Sequence, residues 1–291
     1  MNKNKRVAII CPVYNNIDDL PDLFNSLSDL DYDKNLLDLI MVDNGSKDNS
    51  VSFIKEMFEL LKNNRWRNLV LIENKENLGI PMAYNIGYKK VENDIFAILR
   101  IETDILMDKN LMNNLIYSML QKEIYKEIGI IGCLIKDTNY KNVCGAINFN
   151  KWINKISTFF PKHFVKCDGV LGCCMLINLK AIKNLDYFFD SSLFISGDET
   201  DLSFRLKKIG YKTYFEPLAI VIHKSGHSTM KIPELTRYYN IRNNIILLKK
   251  HANIFKFINS LLYSFTWVLW KRVQGENIPI KAFWDGLFFR N

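Results

Sequence analysis

The first hundred residues switch repeatedly between short apolar runs and amphipathic stretches, and few folds accept that order. Runs at 7–13, 37–42, 69–72 and 95–99 are rich in Val, Ile and Leu with little polar alternation, as strands covered on both faces are. Helical spacing of apolar residues fills 17–30, 49–61 and 80–91 between them. The order β-α-β-α-β-α-β predicts a mostly parallel, doubly wound α/β sheet. Ligands of such sheets gather at the carboxyl ends of the strands. Polar clusters follow these strands: Tyr14-Asn15-Asn16, Asp43-Asn44-Gly45-Ser46, Asn77-Leu78-Gly79 and Glu102-Thr103-Asp104.

The second half is less regular. A helix is expected over 109–121, a strand over 128–135, and an irregular stretch containing Trp152 and Pro161. A strand over 170–177, a helix over 201–209 ending at Gly210, and two strands over 212–215 and 219–223 follow. From 233 the pattern is helical through 250 and again through 272. No internal repeat or low-complexity segment interrupts the chain. Charge marks the division that pattern leaves open. Residues 1–230 carry 29 Lys and Arg against 28 Asp and Glu, whereas 231–291 carry 10 against 3. The expected organisation is therefore a ligand-binding domain over 1–230 and a basic, aromatic-rich helical extension over 231–291.

In that extension the cations are interleaved with Phe, Trp, Tyr and Leu, a mixture suited to an anionic membrane surface and not to nucleic acid. A solvated helix face would place any single one of these cations equally well. The longest apolar stretch, 257–270, has 14 residues and is interrupted by Asn259, Ser260, Ser264 and Thr266. As a helix it would reach about 21 Å, short of a hydrocarbon core of roughly 30 Å. Six cysteines show no C-x-x-C, and a strand-like run begins almost at once without a leader, so buried free thiols in a reducing, cytoplasmic setting are expected.

Several clusters carry chemical possibilities, each with a plainer reading beside it. Asp43, where a buried strand ends, can accept from ribose hydroxyls or a base N–H, or can simply close an Asx turn while Asp48 or Asn49 caps the next helix. Glu102-x-Asp104 can aim two carboxylates at one hard cation, or can be a solvated turn. Asp198-Glu199-Thr200-Asp201 places three carboxylates before an amphipathic helix, where Thr200 and Asp201 suit capping. A hydroxyl is a poor nucleophile and needs a carboxylate base to take its proton as it attacks, a role that Glu199 suits, with Asp198 supporting it. His223 can complete a cation's coordination, and Lys224, Ser225, Gly226 or Ser228 can meet phosphate oxygens. Arg242 can pair with a diphosphate or lipid phosphate and Tyr239 can stack on sugar or base, or both can anchor a helix.

In order, the pieces V-A-I-I-C-P-V-Y-N-N, I-M-V-D-N-G-S-K-D-N-S, E-N-K-E-N-L-G-I-P-M-A-Y-N-I-G, I-E-T-D-I, D-G-V-L-G-C-C-M-L-I, G-D-E-T-D-L-S-F-R, V-I-H-K-S-G-H-S and Y-Y-N-I-R-N-N resemble the inverting family 2 glycosyltransferases, in particular their rhamnosyltransferase-like and cell-surface polysaccharide members. The resemblance implies a GT-A fold: a doubly wound, mostly parallel sheet with a C-terminal helical extension. It implies a nucleotide pocket lined by Pro12, Tyr14, Asn15, Asp43 and Gly79, with Glu102 beside the ribose or the ion. By the same match Asp104 binds Mn2+ or Mg2+, with His223 a candidate further ligand. Glu199 stands where relatives carry an Asp base, in a segment usually written E-D-x-D.

The function so implied is transfer of one sugar, with inversion, from a UDP, dTDP or GDP sugar to a glycan or lipid-linked acceptor at the inner face of the cell membrane. Processive relatives carry a Q-x-x-R-W segment that this chain lacks. A sugar-phosphate nucleotidyltransferase would want a Gly-rich basic loop after the first strand, and C-P-V-Y-N-N is not one. A non-catalytic nucleotide-sugar-binding homologue is the alternative that the altered acidic motifs raise.

Overall fold

In a computed structural model, which describes residues 5–121, 125–149, 156–224 and 233–289, the predicted alternation is present. It runs β1 (Val7–Val13), α1 (Leu20–Asp29), β2 (Leu37–Asp43), α2 (Ser50–Asn63), β3 (Asn68–Glu73), α3 (Ile80–Tyr88) and β4 (Ala97–Ile101). The chain continues through β5 (Ile105–Met107), α4 (Leu111–Met119), β6 (Ile128–Lys136), β7 (Asn142–Cys144), β8 (Ala146–Phe149), β9 (Ile156–Phe159), β10 (Val165–Cys167) and β11 (Cys174–Asn178). Next come α5 (Leu179–Ile182), α6 (Asp198–Lys208) and β12 (Lys212–His223), then three tail helices: α7 (Pro233–His251), α8 (Ile254–Val273) and α9 (Ile278–Leu287).

The main sheet has the order β10-β12-β6-β11-β4-β1-β2-β3. Strands β4, β1, β2 and β3 are parallel, with Ile10 opposite Ile40 on one side and Arg100 on the other. The chain leaves β1 in one direction through β2 and β3, then returns to its other side as β4, so a topological switch point opens between β1 and β4. Strand β11 runs antiparallel between β4 and β6, and β12 rejoins β6 in parallel. Successive residues of each strand feed opposite cores. Ile9, Leu39 and Leu99 pack with Leu23, Phe24 and Ile54 on one face, and Ile10, Ile40 and Ile98 with Ala83, Tyr84 and Leu202 on the other.

Four local expectations change. The two strands expected over 212–223 are one, β12, whose pairing shifts register between Glu216 and Ile220. Pro217 lacks an N–H to give the ladder, and the carboxylate of Glu216 accepts the Leu218 N–H at 2.9 Å to close the bulge. The strand expected from 170 starts only at Cys174. Strand β5, too short to show periodicity, pairs with the end of β12 and sets Ile105 opposite His223. Neither Thr200 nor Asp201 caps α6, which begins at Asp198 after Gly197 in the left-handed region, φ 87°.

Asp201 is instead fully buried and holds the tail. It accepts from Arg205 Nε at 2.6 Å, Lys250 Nζ at 2.8 Å and His251 Nε2 at 2.8 Å; against the cost of burial, the His251 hydrogen bond and the Arg205 and Lys250 cations hold its carboxyl well below the usual range. Asn243, also on α7, donates through one amide nitrogen to the carbonyls of Leu193, Ile195 and Ser196 at 2.7, 2.8 and 2.9 Å. The loop leading to α6 is thus fastened to the helix that follows β12. Asn243→Ala removes the side-chain donor from the Ile195 and Ser196 carbonyls, while Leu193 keeps the Ile195 N–H, and a loss of about 1–3 kcal/mol in unfolding free energy is expected from denaturant titration.

Candidate active site

Strand β4 carries a cation inside an otherwise apolar wall. Arg100 is 2% exposed, and its guanidinium lies 4.4 Å from the Tyr84 ring centre and 5.0 Å from that of Phe189. Nη1 donates to the buried Asp198 carboxylate, and Nη2 lies 3.7 Å from Glu102. Such a charge is tolerated only when paired and hydrogen-bonded. Gly172 makes room for it, since a Cβ there would sit 2.8 Å from Nη2. Arg100 therefore ties the first turn of α6 to the carboxyl end of β4.

At that end Glu102, Asp104 and His223 converge, each offering one ligand atom, with all three atoms within 4.8 Å of one another. His223 Nε2 lies 3.2 Å from Asp104 Oδ1. Burial alone would depress the imidazole pKa, but the Asp104 carboxylate outweighs it and the ring's pKa is raised. Burial pushes Glu102 up as well, against the pull of Arg100. The expected spacing has a visible cause: the turn after β4 leads into β5, and pairing of β5 with β12 sets Ile105 opposite His223. Two carboxylates and an imidazole are a donor set that Mg2+ or Mn2+ accepts.

Acidic segment and cation cluster share the Arg100 guanidinium. Asp198 is buried beneath it, while Glu199, the next residue, is only partly buried. Burial first, and then the neighbouring Asp198 charge, raise the Glu199 pKa to about 8 despite Arg100.

Three loops at the ends of β1, β2 and β3 form the other side, and asparagines hold them. Asn44 donates to Asn77 Oδ1 and the Gly79 carbonyl at 2.9 and 3.2 Å, and accepts from Asn74 Nδ2 and the Leu78 N–H at 3.1 and 3.2 Å. Asn15, at φ 51°, accepts the Lys47 N–H at 2.7 Å and donates its own N–H to Ser46 Oγ at 2.9 Å. Asp43 Oδ2 accepts the Gly45 and Ser46 N–H groups at 3.1 Å, as an Asx turn does. Its Oδ1 is buried and has no hydrogen-bond partner among the described residues. Gly79, at φ 85°, packs so closely on the Phe194 carbonyl that a Cβ would come within 2.6 Å of it. Pro12 is the last residue but one of β1 beside these loops, and Tyr14, just past the strand, is exposed.

The two tail residues expected at the rim have structural partners. Arg242 Nη1 donates to the Ser192 carbonyl and Asn243 Oδ1 at 3.0 and 2.9 Å, and its guanidinium lies 4.6 Å from the Phe289 ring centre. Tyr239 stacks on Phe194 with ring centres 5.0 Å apart. Both brace the loop that abuts Gly79 and precedes Glu199. Lys224 binds Asp22 on α1, with Asp19 at 3.6 Å, while Ser225, Gly226 and Ser228 lie outside the described residues. Arg100, Asn44 and Asn243 are the residues that sequence reasoning passed over. Of these only Arg100 left a signal, a lone cation in a buried-type run.

The comparisons with known proteins agree with this geometry. The sequence profile described as Glycosyl transferase family 2 matches residues 8–184, over half of the chain. A Methanococcus voltae protein, dolichyl N-acetyl-alpha-D-glucosaminyl phosphate 3-beta-D-2,3-diacetamido-2,3-dideoxy-beta-D-glucuronosyltransferase, is 25% identical over 252 residues, 85% of this chain and 76% of that protein. The mannosyltransferase PcManGT from Pyrobaculum calidifontis, in complex with GDP-Man and Mn2+, aligns at a TM-score of 0.64 and 14% identity, over 85% of this chain and 65% of that one. S. aureus TarS 1-349 in complex with UDP aligns at 0.60 and 15% identity, over 85% and 67%. The chain spans about two thirds of the length of these solved structures. What it shares with them is the expected GT-A fold.

The buried ion pair makes a stability prediction. Arg100→Met leaves Asp198 buried and unpaired, and a loss of about 3–5 kcal/mol is expected in urea unfolding. Adding Asp198→Leu should restore most of that loss, because the uncompensated charge leaves with it. A double variant no more stable than Arg100→Met alone would mean that packing, not charge, dominates the site.

Proposed function

The chain belongs to glycosyl transferase family 2, and on that footing we propose that it moves one sugar, with inversion, from a nucleoside diphosphate sugar to a hydroxyl of a glycan or lipid-linked acceptor at the inner membrane face. The observation that carries this reading is the convergence of two acidic groups on one guanidinium: Glu102 of a three-donor cation site lies 3.7 Å from Arg100, and Asp198, the neighbour of Glu199, is paired with it. The donor is a UDP, dTDP or GDP sugar.

Glu102, Asp104 and His223 would hold a divalent cation, Mn2+ or Mg2+. Bound there, it would neutralise charge that builds on the diphosphate leaving group. Asp43 Oδ1, buried and without a donor among the described residues, is suited to a base N–H or ribose hydroxyl, which would relieve the cost of its isolation. Pro12, Tyr14, Asn15 and Gly79 would shape the walls around that contact, with Glu102 beside the ribose or the ion. Glu199 takes the proton of the acceptor hydroxyl as that oxygen attacks the anomeric carbon. The bond from that carbon to the diphosphate oxygen breaks on the opposite face, so configuration inverts and a nucleoside diphosphate departs. Asp198, clamped by Arg100, fixes the turn that aims Glu199.

A carboxylate must be ionised to accept that proton, so a Glu199 pKa of about 8 gives a pH signature. The rate at limiting acceptor should rise with pH through that region, and Glu199→Gln should lower kcat by about 10²–10⁴-fold with donor binding intact. Equal kcat in the two proteins would remove Glu199 from the mechanism.

Stability should move the opposite way. Because the folded chain keeps the Glu199 proton above the ordinary carboxyl value of 4.5, the stability it contributes is present below that pH and lost as pH rises towards about 8. Glu199→Gln should therefore melt higher than the parent at pH 8 and no higher at pH 4 in thermal scans.

A further inference from the structure

Helix α8 has two apolar faces and buries only one. Phe257, Leu261, Phe265 and Val268 pack against Ile245 and Leu248 of α7 and Phe283 of α9. On the opposite side Phe255, Ile258, Leu262, Leu269 and Val273 recur at helical spacing, and all are exposed, Phe255 at 77% and Val273 at 86%. Exposed Tyr263 and Trp270 border this stripe. A water-facing helix shows one apolar stripe and a polar opposite face, whereas a second contiguous stripe marks a contact surface.

Charge selects the occupant. The helix contains no Asp or Glu, and its cations stand near its ends: Lys256 at one, Lys271 and Arg272 at the other. Lys271 pairs with Glu276 at 2.9 Å, while exposed Lys256 and Arg272 pair with no carboxylate among the described residues. The whole 231–291 segment carries 10 cations against 3 anions, so a second copy docked on this face would bring like charges together. Twenty residues of helix reach about 30 Å, yet no helix among the described residues is long and apolar enough to cross a membrane, and the inner face of α8 is taken by protein.

We propose that α8 lies flat on an anionic bilayer, with the stripe at the acyl boundary and Lys256 and Arg272 among the headgroups. This deepens the lipid-linked half of the proposed function and rests on it only for its purpose. Its test needs neither donor nor acceptor, so either reading can fail while the other stands.

The test is co-sedimentation of the full chain with vesicles of phosphatidylcholine mixed with phosphatidylglycerol, and with phosphatidylcholine alone. The expected result is binding to the mixed vesicles well above that to the neutral ones. The combined variant Phe255→Ser, Leu262→Ser and Val273→Ser should lower binding by at least about tenfold, with an unchanged melting temperature. Lys256→Glu with Arg272→Glu leaves the stripe whole and should weaken binding to the mixed vesicles by about tenfold, with little effect on the neutral ones. Binding that neither variant changes would overturn the proposal. So would a lipid-free dimer, seen by light scattering, that the serine variant disperses, because the stripe would then belong to a second copy.

Discussion

The ion pair between Arg100 and Asp198 is the constraint around which the site is assembled. Placing a guanidinium in the middle of a buried strand costs heavily unless every neighbour compensates. Here Tyr84 and Phe189 supply ring faces, Gly172 supplies space, and Asp198 supplies the countercharge. Asp198 is the first residue of α6, so satisfying Arg100 fixes where that helix begins. Glu199 follows directly after it in the first turn of α6, next to the ion pair. Two parts of the sequence about a hundred residues apart are thus joined by electrostatics before any substrate enters.

The remaining parts give that junction a rigid frame. At the carboxyl ends of β1, β2 and β3 Asn44 and Asn15 satisfy loop backbone and side-chain groups that water would otherwise contest, which keeps three loops in one arrangement. On the α6 side Asn243 and the partners of Asp201 fasten the loop before Glu199 and its helix to α7. Preorganisation of this kind would place the proposed base and cation ligands without reorganisation during reaction. It also gives Arg242 and Tyr239 a coherent role: they brace the loop that carries Phe194 against Gly79.

Much of this was legible in the sequence, for a physical reason. Strands β1 and β2 are buried on both faces, so their runs of Val, Ile and Leu announce their bounds, and the polar turns after them announce the sheet edge where ligands meet. Glu102, Asp104 and His223 were legible as types suited to a cation, and β5 paired with β12 supplies the proximity that spacing could not. Long-range pairings were not legible. Asp201 reads as a cap because its partners Lys250 and His251 lie some fifty residues on. Asn243 reads as one polar residue of a helix until the carbonyls of Leu193, Ile195 and Ser196 are seen around it. The single strand β12 reads as two because its bulge at Pro217 breaks the apolar run.

The central claim is that one cation site, made by Glu102, Asp104 and His223, serves the nucleotide pocket around Asp43. Calorimetric titration of UDP, dTDP and GDP into the full chain, with and without Mn2+, tests it most directly. The account predicts that at least one nucleotide binds, that Mn2+ strengthens it by about tenfold or more, and that Asp104→Asn abolishes the Mn2+ effect in a protein that still folds. Nucleotide binding indifferent to Mn2+, or an Mn2+ effect that survives Asp104→Asn, would contradict it.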